Sequence, residues 1–500
     1  MKRQSGILLP IFSLHSDYGI GSFGSEAYNF IDFLHLSKQS AWQILPLMQT
    51  GFGNSPYQSV SDGSLNPYFI SVEELFNQGL ISATDLKSAI DKGEYIDYDK
   101  LSKSRIALLR KAFSNFDKTT KEFCDYIAKK ESLSYALFMA IKNATNGKAF
   151  YEWEDGLKYR NKNAIENFYS ENKEEVTFWQ FIQFEAKRQW FKLKEYANKK
   201  GISIIGDMPL YVALDSVDVW ENPELFKLDD NFIPKKVAGV PPDYFSKTGQ
   251  LWGNPVFDYS SHEKQDFVWW KNRVKRALSI FDYVRIDHFR GLDRYYEIDF
   301  GSKDAIKGEW IDVPSDKLFD AIHSEVDKDK IIAEDLGLID DGVIFLMAKL
   351  GYPGMKVLSF AFNGGKDNPY LPENIKENSV CYTGTHDNDT LKGYIFSMTD
   401  DEYALVTKNV SDSLKLLGIK TKLKDKKDLV NAIIELGFAS KSNLFVLPLF
   451  DLRKCDTRYR INEPGVMKKQ NWSVKARQGF TCVRTIERLK KLTEKYDRVN

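Results

Sequence analysis

The sequence predicts an α/β protein, a (β/α)8 barrel with large insertions in its loops. Three observations predict this fold: the chain has 500 residues, it contains eight short apolar runs rich in β-branched residues, and longer segments with helical periodicity lie between them. Strands that alternate with helices pair in parallel, and eight such strands can close into a barrel. Because these barrels average ~250 residues, about half of the chain is left for insertions.

Each of the eight runs is bounded by Gly, Pro or Asp and predicts one barrel strand. They divide the barrel into residues 1–67 with strands 1 and 2, residues 176–214 around strand 3, and residues 271–500 with strands 4–8. In chain order the runs are Gly6–Leu14, Trp42–Met48, Ile202–Leu210, Tyr283–Phe289, Ile331–Leu336, Met355–Phe362, Val380–Thr385 and Leu444–Leu449.

Three insertions interrupt this pattern. Residues 68–175 are polar, rich in Lys and Glu, and helical in period, as at Ser104–Phe116 and Glu131–Ile141, which predicts a mainly helical insertion. Residues 215–270 are rich in Pro, Gly and Trp, which predicts an irregular lobe that binds substrate. An amphipathic stretch at about 400–440 predicts helices that cover one side of the barrel.

The composition excludes several classes of protein. Lys and Arg total 70, as do Asp and Glu, and this balance leads us to expect no nucleic-acid partner. The sequence contains neither a run of ~18 apolar residues nor a recognisable secretory signal, so we expect no membrane association and a cytoplasmic location. The cysteines lie far apart without a C-x-x-C pair, so we expect reduced, buried thiols at Cys124, Cys381, Cys455 and Cys482. Protein partners and oligomeric state stay open.

The segment Gly19–Gly24 matches the G-x-G-x-x-G pattern of dinucleotide-binding loops and precedes an expected helix at Ser25–Leu36. Nucleotide binding would also need an acidic residue ~20 residues further on, and Ile44–Met48 contains none. We therefore interpret the segment as a glycine-rich loop at the barrel mouth and expect no cofactor.

Carboxylates at the ends of three runs are the main functional signal, because barrel enzymes carry their chemistry at the carboxyl ends of the strands. Arg285 and Asp287 are two residues apart in one run and therefore lie on the same face of the strand, so both can point into the barrel mouth. There the guanidinium would keep Asp287 ionised. Glu334 ends the next run and could face Asp287 across the pocket. The seventh run leads into His386 and Asp387.

Two carboxyl groups across a pocket are the usual machinery of glycoside chemistry, one as nucleophile and one as proton donor with a raised pKa. A metal site is the rival interpretation, in which His288, His386 and the acidic residues would be ligands. No H-x-H or H-E-x-x-H spacing occurs, so we expect no metal.

Turn-rich segments at the expected barrel mouth carry aromatic side chains that either pack or hold a ligand. Gly53–Gln58 contains Tyr57, and Gly249–Pro255 contains Trp252. We expect these two aromatics and the loop Val240–Phe245 to hold a ligand at the barrel mouth.

Over its whole length the chain resembles the 4-α-glucanotransferases of glycoside hydrolase family 77, also called amylomaltases or disproportionating enzymes. The sequence departs from the family pattern at Phe450, Ile461 and Val474. The stretches that carry the resemblance are Ser5–Leu9, Tyr18–Gly24, Trp42–Pro46, Ser55–Gln58, Gly206–Ala213, Asp218–Trp220, Val237–Phe245, Gly249–Pro255, Arg285–Arg290, Ala333–Gly337, Gly354–Leu358 and Tyr382–Thr390.

The resemblance implies roles for individual residues. Asp287 would be the nucleophile, Glu334 the general acid/base, and Asp387 the carboxylate that binds and distorts the donor sugar. Phe360, placed by its offset along the strand, is a candidate on the acceptor side. The other implied sugar contacts are Tyr57, Asp243, Trp252, Asn254, Arg285, His288, His386 and Asn462.

The function that this resemblance implies is the transfer of α-1,4-glucan segments to the 4-hydroxyl of an acceptor glucan or glucose, through a covalent glucosyl ester. Its partners would be α-1,4-glucans and maltooligosaccharides. Two alternatives stay open: an α-glucan hydrolase with the same chemistry, and a non-catalytic glucan-binding protein on a barrel scaffold. Preferred chain length and cyclic products cannot be predicted.

Overall fold

Two β-sheets form the framework of the protein. Its computed structural model describes residues 2–242 and 246–499. The described part contains twelve strands, numbered in chain order: β1 Gln4–Leu8, β2 Ala41–Gln43, β3 Ser203–Met208, β4 Lys236–Val240, β5 Gln250–Pro255, β6 Tyr283–Ile286, β7 Arg294–Asp299, β8 Gly308–Asp312, β9 Ile331–Ala333, β10 Gly354–Val357, β11 Ser379–Tyr382 and β12 Leu444–Pro448.

Eight parallel strands follow one another around a barrel in the order β1-β2-β3-β6-β9-β10-β11-β12, and β12 pairs again with β1. The barrel closes between β9 and β10, where the Ala333 N–H donates to the Pro353 carbonyl at 3.0 Å. All five residues of β12 are buried, as expected of a parallel strand covered on both faces. This confirms the predicted (β/α)8 fold, and each predicted run overlaps one barrel strand.

Helices surround the barrel and fill its insertions. Those described are α1 Ser25–Leu36, α2 Val72–Asn77, α3 Ala83–Ser88, α4 Tyr98–Asn115, α5 Lys121–Ala128, α6 Leu133–Ala144, α7 Asp155–Lys158, α8 Lys162–Glu171, α9 Lys173–Lys199, α10 Val217–Glu221, α11 Tyr259–Lys264, α12 Val268–Ile280, α13 Ser315–His323, α14 Asp341–Leu350, α15 Leu391–Ser397, α16 Asp400–Leu416, α17 Lys426–Ala439, α18 Leu449–Leu452 and α19 Val483–Lys495.

Local sequence signals account for several helix ends. Helix α16 begins with a capping box, in which Thr399 and Glu402 satisfy each other's backbone N–H groups. Helix α14 ends at Gly351, whose φ of 75° is readily available to glycine.

Helices α2–α8 lie in the expected helical insertion, and α16 and α17 lie in the stretch at about 400–440. Helix α9 crosses the expected boundary at residue 175 and packs against both the insertion helix α6 and the barrel helix α1. Within the described residues, no helix is long and apolar enough to cross a membrane.

The expectation of an irregular lobe over residues 215–270 needs correction. Strands β4 and β5 lie in this stretch and join β7 and β8 in a four-stranded antiparallel sheet, in the order β5-β4-β7-β8. Strand β8 has no buried residue and β5 has two buried residues of six, so these two strands lack the apolar run by which the barrel strands were found.

The expectation of four buried thiols is also only partly met. Cys381 in β11 is buried and Cys455 is partly buried, but Cys124 and Cys482 are exposed. Their positions on the solvent sides of α5 and the start of α19 were not evident from their spacing along the chain.

Candidate active site

The carboxyl ends of neighbouring barrel strands bring the acidic residues together. Asp207 lies in β3, Asp287 follows β6, Glu334 follows β9, and Asp387 lies in the loop between β11 and α15. Because β3, β6 and β9 are consecutive around the barrel, three of these carboxylates line one side of its mouth.

Arg285 joins two of the carboxylates. Its register in β6 is opposite Asp207 in β3, and its guanidinium lies 3.1 Å from Asp207 Oδ1 and 2.8 Å from Asp287 Oδ1. The Asp207 side chain is fully buried, whereas that of Asp287 is 28% exposed. Asp287 is therefore held by a buried ion pair while staying open to a ligand.

The turn after β6 holds Glu334 in place. The His288 N–H donates to Glu334 Oε2 at 2.7 Å, and the Leu336 N–H donates to Oε1 at 2.7 Å. His288 adopts left-handed backbone angles (φ 50°, ψ 49°), which are uncommon for a residue other than glycine and occur at functional sites. The local conformation of the chain after Asp287 thus supplies one of the two hydrogen bonds to Glu334.

A hydrogen-bonded chain leads from Asp207 to the opposite side of the mouth. The Tyr57 hydroxyl donates to Asp207 Oδ2 at 2.6 Å and lies 2.9 Å from His386 Nε2. Since Tyr57 gives its only proton to Asp207, its oxygen accepts from His386, whose Nε2 carries the hydrogen. Burial lowers the pKa of His386, which favours the neutral ring.

Asp387 lies at the far end of this network. Its Oδ1 is 3.4 Å from His386 Nε2 and accepts from Asn462 Nδ2 at 2.7 Å. Arg460 donates to the Asp387 carbonyl at 2.8 Å. The Asp387 side chain is 43% exposed, so its second oxygen can accept from a ligand.

Within the described residues, Arg285 is the cation that forms ion pairs with Asp207 and Asp287 of this acidic cluster. Burial raises the pKa of Asp287 well above its ordinary value, the Arg285 charge opposes this rise, and the neighbouring carboxylates add to it. Burial also raises the pKa of Glu334, against the effects of Arg285 and of the two backbone N–H donors. Groups that repel one another this closely titrate as a unit, so the cluster retains a proton more readily than isolated carboxylates would.

Aromatic side chains form the wall beside Asp287. The Trp252 ring meets the His288 ring edge to face at a centroid distance of 4.8 Å, and Tyr211 packs against both. Burial lowers the pKa of His288 to about 4, so its ring is neutral near pH 7. A flat apolar face beside neutral hydrogen-bonding groups suits a sugar ring.

The remaining predicted contacts differ in position. Asn254 is buried and uses its amide to join Gln58 at 2.9 Å to the Val212 carbonyl at 2.9 Å, so it braces two mouth loops. Phe360 lies on the turn after β10 and packs against Tyr370. Asp243 and the rest of 243–245 lie outside the described residues.

Several residues at the site were not among the predicted site residues: Tyr211 and Arg460, described above, and also Asp207 and Tyr370. Asp207 lies near the carboxyl end of its run, as Glu334 does, and this position alone would have predicted it as a site residue. Tyr370 lies in the loop after β10, and burial, together with the charges of Asp335 and Glu334, raises its pKa to about 12. No motif marks Tyr370 in the sequence.

The three residues at which the chain departs from the family pattern are alike in their burial. Phe450, Ile461 and Val474 are all buried, with 2–5% of each residue exposed. Phe450 packs against Tyr459 and Phe480. These residues belong to the protein interior, and Asn462, beside Ile461, still reaches Asp387.

Comparison with known proteins agrees with this geometry. A family model described as 4-alpha-glucanotransferase matches residues 9–481. The chain belongs to the 4-α-glucanotransferase family. The match covers nearly the whole barrel with its insertions, and it confirms the resemblance read from the sequence motifs. The activity of the chain is that of the family, the transfer of 4-α-glucan chains.

Individual members of the family are similar over their full length. A 4-alpha-glucanotransferase of Clostridium butyricum is 41% identical over 496 residues, which cover 98% of this chain and 100% of the relative. One from Thermus thermophilus is 39% identical, with 100% of both chains covered. The amylomaltase of Streptococcus agalactiae, solved in complex with acarbose, superposes with a TM-score of 0.93 at 37% identity, with 100% of both chains covered.

Proposed function

We propose that this enzyme transfers glucan segments by a retaining double displacement, with Asp287 as nucleophile and Glu334 as general acid/base. The observation that carries the proposal is the continuous set of contacts Asp287–Arg285–Asp207–Tyr57–His386–Asp387, which joins the exposed carboxylates on the two sides of the mouth. It leaves Asp287 and Asp387 each able to meet one sugar from different directions.

In the first step Asp287 attacks the anomeric carbon of the donor. A bond forms between a carboxylate oxygen and C1, the glycosidic C1–O bond breaks, and Glu334 gives its proton to the departing oxygen. This step needs Asp287 ionised and Glu334 protonated. Arg285, 2.8 Å from Asp287, favours that distribution of the shared proton.

In the second step Glu334 acts as the base. It takes the proton of the acceptor 4-hydroxyl while that oxygen attacks C1, and the ester bond to Asp287 breaks. The raised pKa of Glu334 suits a group that must be protonated in one step and ionised in the next.

Asp387 would hold the donor sugar between these two groups. Its Oδ1 is already fixed by Asn462, and its exposed oxygen is available to sugar hydroxyls. Tyr57, Trp252, His288 and His386 would provide the ring faces and neutral hydrogen-bonding groups that orient the glucan. These sugar contacts and the absence of a nucleic-acid partner stay predictions, as does a cytoplasmic location.

Transfer must compete with hydrolysis of the ester by water at about 55 M. A bound acceptor wins when its positioning gives an effective molarity well above that of water, and well-oriented systems reach ~10⁵ M or more. We assign this positioning to the mouth loops that carry Tyr57 and Trp252.

Incubation with maltotriose tests the proposal. We expect glucose and a ladder of longer maltooligosaccharides, with little net gain in reducing ends. A steady rise in reducing ends without any product longer than maltotriose would identify a hydrolase.

The variant Asp287→Asn tests the role of the nucleophile. The amide is nearly isosteric but cannot form the ester, so turnover should be lost while acarbose, the ligand of the Streptococcus agalactiae relative, still binds. Turnover near the wild-type rate would exclude Asp287 as the nucleophile. Lost turnover together with lost acarbose binding would show that the substitution damages the site. The role of Asp287 would then be decided by detecting the covalent ester directly.

A further inference from the structure

Asp451 is a buried carboxylate that the proposed reaction does not use. It follows β12 in the short helix α18, and 2% of the residue is exposed. It forms no ion pair within the described residues, and the donors that it meets are neutral. An unpaired carboxylate is costly to bury, so its contacts need an explanation.

The Asp451 carboxylate binds both ends of one loop. The Thr383 hydroxyl donates to Oδ2 at 2.6 Å, and the Leu391 N–H donates to Oδ1 at 2.7 Å. Thr383 directly follows β11, and Leu391 is the first residue of α15, where a helix leaves its N–H groups without a partner. We call residues 383–391 the Asp387 loop. Its first and last residues are therefore both hydrogen-bonded to the Asp451 side chain.

The Asp387 loop is also braced internally. Asn388 Oδ1 accepts from the backbone N–H and the hydroxyl of Thr385, at 2.8 and 3.0 Å. The Asp387 N–H donates to the Thr385 hydroxyl at 3.3 Å. Because the interior of the loop is tied to itself, a shift at its two ends would displace Asp387 relative to Asn462 and Arg460, which contact it from outside the loop.

We infer that Asp451 is a positioning residue, which fixes both ends of the Asp387 loop and thereby holds Asp387 in place for the donor sugar. The inference rests on the proposed function, because it takes Asp387 to bind the donor. Asp451 touches neither substrate nor the reacting groups and acts through the loop.

Stability alone does not account for this carboxylate. Burial raises the pKa of Asp451 to about 6, from an ordinary value of 3.8. Between these two pH values the folded state binds the proton more tightly than the unfolded state, so folding stability falls as the pH rises and stays lower above about pH 6. At neutral pH the ionised Asp451 side chain therefore lowers the folding stability, because burial disfavours its charge.

Three variants separate positioning from a structural role. Asp451→Ala removes both hydrogen bonds, and we expect kcat/KM for maltotriose to fall by about tenfold to a hundredfold, as displaced site groups commonly cause. Asp451→Asn should stay within about threefold of wild type, because the amide can accept from Leu391 and donate to Thr383. Thr383→Val removes the hydrogen bond from Thr383 to Asp451 while keeping the side-chain shape, so kcat/KM should fall by less than in Asp451→Ala. This variant replaces Asp451→Ala as the test if Asp451→Ala does not fold.

Glu185→Ala is the matched control. Glu185 is also fully buried and accepts hydrogen bonds, from Gln78, Arg188 and Gln189, but it lies in α9 on the flank of the barrel. The control should lower the melting temperature and leave kcat/KM of the folded enzyme unchanged. If Asp451→Ala behaves as the control does, Asp451 has a structural role and the inference is wrong.

A double-mutant cycle tests whether the effect passes through Asp387. In an Asp387→Asn background, Asp451→Ala should change kcat/KM by less than about twofold, since the group that it positions is already lost. An undiminished loss in that background would overturn the inference while leaving the role of Asp387 intact. If Asp387→Asn alone has no effect, the proposed role of Asp387 fails and the inference fails with it.

Discussion

Removing the positive charge of Arg285 should move the acid limb of the pH profile. Arg285 is the cation in contact with Asp287, and its guanidinium also contacts Asp207. Without it, burial and the neighbouring carboxylates that already raise the pKa of Asp287 act unopposed. Asp287 must be ionised to attack, so a higher pKa shifts the acid limb of kcat/KM to higher pH.

The size of the shift follows from the separation of the charges. A unit charge at about 4 Å contributes about 4 kcal/mol at an effective dielectric constant of about 20. At 1.36 kcal/mol per pKa unit this is about 3 units, and neighbouring charges usually shift a carboxyl pKa by about 1–3 units. We therefore expect Arg285→Gln to move the limb upward by about 1–3 pH units. Arg285→Lys, which keeps the charge but contacts fewer oxygens, should move it less.

The assay is glucose release from maltotriose, measured as kcat/KM at each pH from about 4 to 9. Arg105→Gln is the matched control, because Arg105, in the helical insertion, is also buried but donates only to backbone carbonyls, those of Tyr18, Tyr68 and Ile70. The control should leave the limb unmoved. If Arg285→Gln lowers the rate at every pH without moving the acid limb, Arg285 orients the substrate and does not set the charge of Asp287.

Three further predictions use other groups. Glu334→Gln should flatten the alkaline limb of the pH profile, and an unchanged limb at the full rate would make Glu334 a structural residue. Activity should survive exhaustive treatment with EDTA, and loss reversed by an added cation would favour the metal alternative. Burial lowers the pKa of His262 to about 4 from 6.5, so stability should fall by up to about 3 kcal/mol as the pH drops from about 6.5 to 4. His262→Phe should abolish that fall, measured as the melting temperature against pH, and an unchanged slope would mean that other groups cause it.

The barrel was predictable because parallel strands are buried on both faces and stand out as apolar runs. The runs extended too far at their carboxyl ends, since residues beyond β1 such as Leu9 and Ile11 are buried in the loop that follows. The antiparallel sheet was missed for the opposite reason. Strand β8 is mostly exposed and lacks an apolar run, and its pairing with β7 depends on tertiary context.

The acidic residues were predictable from their place at the ends of runs, but their connections were not. The contact between Asp207 and Arg285 depends on the register of β3 against β6, which neither strand encodes alone. The left-handed backbone of His288, which aims its N–H at Glu334, has no sequence signature. The role of Asp451 could not be predicted either, because its partners Thr383 and Leu391 lie far away in sequence.

The central claim, a covalent ester on Asp287, is tested most directly by trapping it. Maltotriosyl fluoride needs no protonation of its leaving group, so in Glu334→Gln the ester should form as fluoride departs and then persist, since the base for the second step is missing. Mass spectrometry of the quenched and digested protein should show one maltotriosyl unit on the peptide that contains Asp287, and none when Asp287→Asn is added. A sugar on any other residue, or no adduct while fluoride is still released at the full rate, would contradict the account.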